Sequence, residues 1–60
     1  MTKYNAIQLK LDALTYAHDR ARKAMIDADW KGDVAAYEMA ETIFEAIHAE
    51  IGATLDQIDE

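Results

Sequence analysis

Sixty residues with twelve Asp or Glu, six Lys or Arg and no Cys carry a net charge of −6, so no disulfide can staple the fold. A chain this short buries only about 60% of the surface its unfolded form exposes. Twelve of its apolar residues are Ala, which contribute little area each, so a lone copy has a thin core and association is the expected remedy.

The acid excess argues against nucleic acid as the main ligand, because neutralising phosphates takes clustered cations. No apolar run approaches the roughly 20 residues that span a bilayer, and the start shows no basic stretch followed by an apolar run. A soluble chain in the cytoplasm is the expectation.

Pro is absent, Gly occurs only at positions 32 and 52, and good helix formers dominate the rest. The expected class is all-α: one helical hairpin domain over residues 1–60, with a helix over 3–30, a turn at 31–33 and a helix over 34–58. Gly32 suits the left-handed residue that closes a helix, and Asp33 suits the N-cap of the next. Each arm would be about 40 Å long at 1.5 Å per residue.

In the first arm Tyr4, Ile7, Leu11, Leu14, His18, Ala21, Met25 and Ala28 recur at spacings of three and four, which predicts a heptad seam. Tyr37, Ala40, Phe44, Ile47, Ile51, Thr54 and Ile58 form the matching seam of the second arm, flanked by Ile43 and Leu55. A turn near Lys31 places Ala21 near Ala40, His18 near Phe44 and Leu11 near Ile51. Gly52 is expected to loosen the second arm by about 1 kcal/mol relative to Ala.

Opposite the first seam runs a second row, Ala6, Leu9, Ala13 and Tyr16, continued in helical register by Arg20, Lys23, Asp27 and Trp30. Exposed Leu and aromatic side chains in a row mark an interface more often than a bare surface. Leu9, Ala13, Tyr16, Arg20, Lys23 and Trp30 are therefore the candidate partner-binding residues; Trp30 has the alternative of folding over the turn as a cap. The second arm repeats Ala35, Met39, Thr42, Ala46, Ala49 and Ala53 on its back, for which a plain solvated helix face serves equally well.

Charge is divided between the arms. Residues 1–32 hold all six cations against four Asp, a balance of +2, and residues 33–60 hold eight acids and no cation, a balance of −8. Arg20, Arg22 and Lys23 form a compact basic patch whose expected role is pairing with the acidic arm, within the chain or between copies. Glu38, Glu41 and Glu45, with Asp56 and Asp59, admit an alternative reading as a nucleic-acid mimic.

Glu41, Glu45 and His48 lie at i, i+4 and i+7, and Glu45-Ala46-Ile47-His48 has the Glu-x-x-His spacing of carboxylate-bridged metal sites in helix bundles. A metal-binding bundle is accordingly the alternative function, with Asp12 or Asp19 as the only further ligands on the first arm. His18, on the seam, is expected to be a satisfied boundary histidine. The chain has no Ser or Cys nucleophile and no Gly-rich phosphate loop, and two helices scarcely enclose a pocket, so neither an enzyme nor a bound cofactor is expected.

In outline the chain resembles the two-helix hairpins that dimerise into antiparallel four-helix bundles, among them the RNA-binding copy-control proteins of plasmids. The likeness covers the whole chain loosely, rests on no shared functional motif and assigns no family. It implies a homodimeric four-helix bundle or higher oligomer. An RNA-binding hairpin dimer is a further alternative, although the RNA-contacting helix of that family is basic and polar where this arm has an apolar row. The favoured expectation is a non-enzymatic, oligomeric protein-binding hairpin, an inhibitor or regulator that blocks or sequesters its partner.

Overall fold

A computed structural model describes residues 2–58 as two helices packed against each other, α1 (Lys3–Lys31) and α2 (Val34–Asp56). The pair measures 45 × 16 × 11 Å along its principal axes. Among the described residues no helix is long and apolar enough to cross a membrane.

Both helices begin on side-chain caps. Thr2 Oγ1 accepts a hydrogen bond from the Asn5 backbone N–H at 3.2 Å, and Asp33 Oδ1 accepts one from Ala36 at 3.1 Å. Each cap satisfies an amide that the first helical turn leaves without a partner. The Asp33 cap follows from the sequence; the Thr2 cap is an addition, signalled only by a Thr placed directly before the first helical residue.

Between the helices Gly32 takes φ +69°, the left-handed conformation that costs a residue with a Cβ about 1–2 kcal/mol. Its N–H reaches the Asp29 carbonyl at 3.1 Å and the N–H of Asp33 reaches that of Ala28 at 2.9 Å, the double bond of a Schellman ending. The connection is thus as tight as expected, with α1 running one residue further, to Lys31. At the far end α2 stops at Asp56, two residues short of the expected 58, and Gln57 and Ile58 form a terminal turn. No basic side chain stands in the last turn of α2 to favour the helix dipole there.

The expected seams are the ones that pack. Ile7, Ala21, Ala28 and Ala40 are the buried apolar residues, and Leu11, Leu14, Met25, Phe44, Ile47 and Ile51 are half-buried. Two Ala-rich layers near the turn allow the close helix approach that small residues permit. Thr54 is fully buried and donates its hydroxyl to the Glu50 carbonyl at 2.8 Å, so its polar group is satisfied by its own helix.

Tyr4 and Ile58, placed on the seams by their spacing, are instead exposed, as are the flanking Ile43 and Leu55. The reason is geometric. Two helices bury only the line along which they touch, so a residue a quarter-turn away, or beyond the last layer, has no neighbour to cover it. Gly52 leaves α2 unbroken, and a Cβ at that position would meet nothing within 4 Å.

Candidate functional site

Leu9, Tyr16 and Trp30 stand on the side of α1 turned away from α2 and are 55%, 65% and 86% exposed, with Ala13 exposed between the first two. Trp30 therefore does not cap the turn: at 86% exposed its side chain is not folded over the core.

The row is not uniform. Tyr16, Arg20 and Lys23 line one shallow depression with Asp19 and Ala24. Arg20 Nη1 donates to the Tyr16 hydroxyl at 3.2 Å, and its guanidinium carbon lies 5.7 Å from the centre of the Tyr16 ring. The arginine thus fixes the tyrosine against the helix. Asp27, paired with Lys31 at 2.9 Å, interrupts the row before Trp30. The candidate surface is an apolar and cationic cluster from Leu9 to Lys23, with Trp30 two turns beyond it.

Pairing of the basic patch with the acidic arm is not what this hairpin does internally. Asp19 takes both Lys23, at 3.0 Å, and Arg22, at 3.3 Å, within α1. The Lys23 and Arg22 hydrogen bonds hold the Asp19 carboxyl below the usual aspartate range, Lys23 having the larger effect. Lys31 is raised by its bond to Asp27. Lys23 and Arg20 stand on the back of α1, where residues four earlier are within reach: Asp19 takes Lys23, and the Tyr16 hydroxyl takes Arg20. Among the described residues the ion pair that does cross the hairpin is Lys10–Glu50 at 3.0 Å.

In α2 the acids Glu38, Glu41 and Glu45 pair with no cation among the described residues, although Glu41 is half-buried. Asp56, at the helix end, is exposed, and Asp59 lies outside the described residues. Glu41, Glu45 and His48 share a face of α2, yet among the described residues no group of three or more His, Asp or Glu side chains comes together so as to hold a metal ion. Asp12 instead accepts a hydrogen bond from Gln8 Nε2 at 3.1 Å, and Asp19 is occupied by its two cations.

His48 is drawn into an aromatic cluster instead. The His18 ring lies 4.2 Å from Phe44 and 5.6 Å from His48, and Phe44 and His48 stack at 6.3 Å. These rings, with Glu45 and Ala49, line a second open depression. His18 meets Phe44 as expected but is not satisfied: its Nε2 is buried and finds no hydrogen-bond partner among the described residues. Packing against Phe44 turns the imidazole edge into apolar surroundings, where α1 and α2 offer it no acceptor or donor.

Sequence spacing alone misses the apolar surface on this flank. Ile26 and Tyr37 line a further depression with Arg22, Met25 and Asp29, and Ile26 is 48% exposed. Tyr37 and Asp29 also line the hollow at the turn beside Val34. The available signal was Ile26 directly after Met25, an apolar residue a quarter-turn outside the seam.

No protein-family model matches this chain, and no curated protein or solved structure is significantly similar to it.

Proposed function

We propose that this chain is a non-enzymatic protein-interaction module, a small acidic hairpin that self-associates and uses the back of α1 to bind a protein partner in the cytoplasm, inhibiting or sequestering it. The observation that carries this reading is the exposed row of Leu9, Tyr16 and Trp30 on a helix whose other side is already engaged by α2. Exposed aromatic residues next to an arginine are the side chains that dominate protein interfaces. Arg20 holding Tyr16 against the helix lowers the entropy a partner would have to remove.

Self-association is supported by the thin core. Among the described residues four apolar ones are buried, while ten large apolar side chains remain exposed. Burial of that kind is too small to hold a 60-residue hairpin in a single fold without help.

The test uses the full chain as bait, with Leu9→Glu/Tyr16→Glu as the control bait, followed by titration of the captured protein against both. Retained helicity with at least a tenfold loss of affinity in the double variant is the expected result. Equal affinity for both baits would remove the back of α1 from the binding surface.

A further inference from the structure

The hairpin exposes 4621 Å². A compact monomer of 6.8 kDa exposes about 3,950 Å² by the scaling of folded surfaces with mass. The excess, roughly 700 Å², compares with the roughly 800 Å² that each partner loses in a stable interface of standard size. One further interface of ordinary size would restore this chain to the surface expected of a compact protein.

Three features place that interface on one flank of the hairpin. Tyr37, Glu41, Phe44 and His48 follow one another at i, i+4, i+7 and i+11 along α2, and His18, Arg22, Ile26 and Asp29 at i, i+4, i+8 and i+11 along α1, so each set shares a helix face. The depressions on this flank bring the two sets together, Arg22 and Ile26 with Tyr37, and His18 with Phe44 and His48. Among the described residues, Glu41 on the same flank is half-buried with no cation and His18 Nε2 is buried with no partner. A second copy would cover the apolar groups and supply partners to the polar ones.

Charge then selects how the second copy lies. Two hairpins can meet flank to flank with like helices opposed and turns at opposite ends, or with α1 opposed to α2 and both turns at one end. The first arrangement lays two α2 helices together, each with five acids and no cation. The second sets each acidic α2 against an α1 that carries all six cations. Like charges along a shared seam are costly, and complementary ones fix register.

Register follows from the turn. Arg22 precedes Gly32 by ten residues and Glu41 follows it by nine, so both stand about 14 Å from the turn. His18 and Glu45 precede and follow it by fourteen and thirteen, about 20 Å away. With both turns at one end, Arg22 of each copy comes level with Glu41 of the other, and His18 with Glu45.

We infer that this flank is the seat of a second copy of the chain, in a two-fold four-helix dimer with α1 against α2 and both turns at the same end, Arg22 pairing with Glu41 and His18 with Glu45 across the seam. The inference rests on the self-association proposed above and specifies its face and orientation. The back of α1, with Leu9 and Tyr16, stays outside this seam.

The chain has no native Cys, so Lys31→Cys gives a single spin-label site beside the turn. Pulsed electron-spin distance measurement on the labelled chain, with the mass measured by sedimentation, reads the arrangement. A dimer with labels roughly 20–25 Å apart is expected, from helix spacings of about 10 Å plus the reach of two labels. A dimer with labels separated by about the full 45 Å of the hairpin would overturn the arrangement and leave self-association standing. A monomer at every concentration would overturn both.

Charge reversal provides a second reading on the same chain. Arg22→Glu and Glu41→Arg are each expected to weaken dimerisation about tenfold, since each introduces two repulsive contacts, and the combined variant to recover most of the loss. Circular dichroism confirms that each variant remains helical. Equal weakening in the single and combined variants would remove the Arg22–Glu41 pairing. Dimerisation abolished by Leu9→Glu/Tyr16→Glu but untouched by these reversals would place the seam on the back of α1 and overturn the inference.

Discussion

His18 and Phe44 meet across the hairpin with ring centroids 4.2 Å apart and planes tilted by 35°, and this contact ties the packing of the two helices to the flank proposed for a second copy. Phe44 is half-buried against His18 and open on its other side. Phe44→Ala removes the contact inside the chain and the apolar centre of that flank together. A loss of about 2–4 kcal/mol is expected at micromolar chain, measured by chemical denaturation, and a smaller loss on dilution as the dimer's share falls. A cost independent of concentration would confine Phe44 to the hairpin.

Leu14 and Ile47 lie on the two seams and are half-buried, so each stabilises less than a fully enclosed residue does. Leu14→Ala and Ile47→Ala are expected to cost about 2 kcal/mol each, at the lower edge of the range for buried aliphatic truncations. Ala53→Gly at an exposed position of α2 serves as the comparison, with an expected cost of about 1 kcal/mol from helix propensity alone. Truncations no costlier than this comparison would contradict the seam.

The two glycines are expected to respond oppositely. Gly32 sits at φ +69°, and Gly32→Ala should destabilise by about 1 kcal/mol or more although its Cβ would meet nothing within 4 Å. Gly52 lies inside α2 with equally open surroundings, so Gly52→Ala should stabilise by about 0.5–1 kcal/mol. Thermal melts of both variants at equal concentration decide it; a destabilising Gly52→Ala would show that a neighbouring copy approaches that backbone closely.

Asp19 is held below the ordinary aspartate range by Lys23 first and Arg22 second. Its folded state is therefore the stronger acid, and the stability it contributes is present above the unfolded pKa and lost as pH falls through the folded one. Carbon-13 titration of the Asp19 carboxyl should give a midpoint below the ordinary aspartate range, and Lys23→Met should move it up toward that range. The exposed setting keeps the effect on stability small. An Asp19 midpoint that Lys23→Met leaves unmoved would mean that the Lys23 contact does not persist in solution.

Trp30 is the one tryptophan and is 86% exposed, one helical turn beyond Ile26 of the proposed dimer flank. Its fluorescence is expected to shift to the blue when the protein partner binds, and an unchanged spectrum in the bound state would leave Trp30 outside the partner interface.

Much of this fold was legible because its signals are local. Gly32 and Asp33 name the turn through one left-handed backbone and one side-chain cap, and the three-four spacing from Ile7 to Ala28 names the packed face. The end of α2 was not legible: Asp56 to Ile58 continue the spacing, but no C-terminal stop residue follows and no neighbouring layer holds the last turn. The internal partners of Arg22 and Lys23 depend on which way each side chain points, and Asp19 reaches them before any residue of α2 does. The open flank is a property of the pair rather than of either helix. Ile26 and Tyr37 are read as separate apolar residues until the turn brings them to one depression.

Sedimentation equilibrium on the unmodified chain, with thermal melting recorded at the same concentrations, bears most directly on the claim that these exposed faces are interfaces. A mass of twice 6.8 kDa at micromolar chain and a melting temperature that rises with concentration are the expected results. A single 6.8 kDa species whose melting temperature is unchanged by concentration would show that the hairpin folds alone and would contradict self-association.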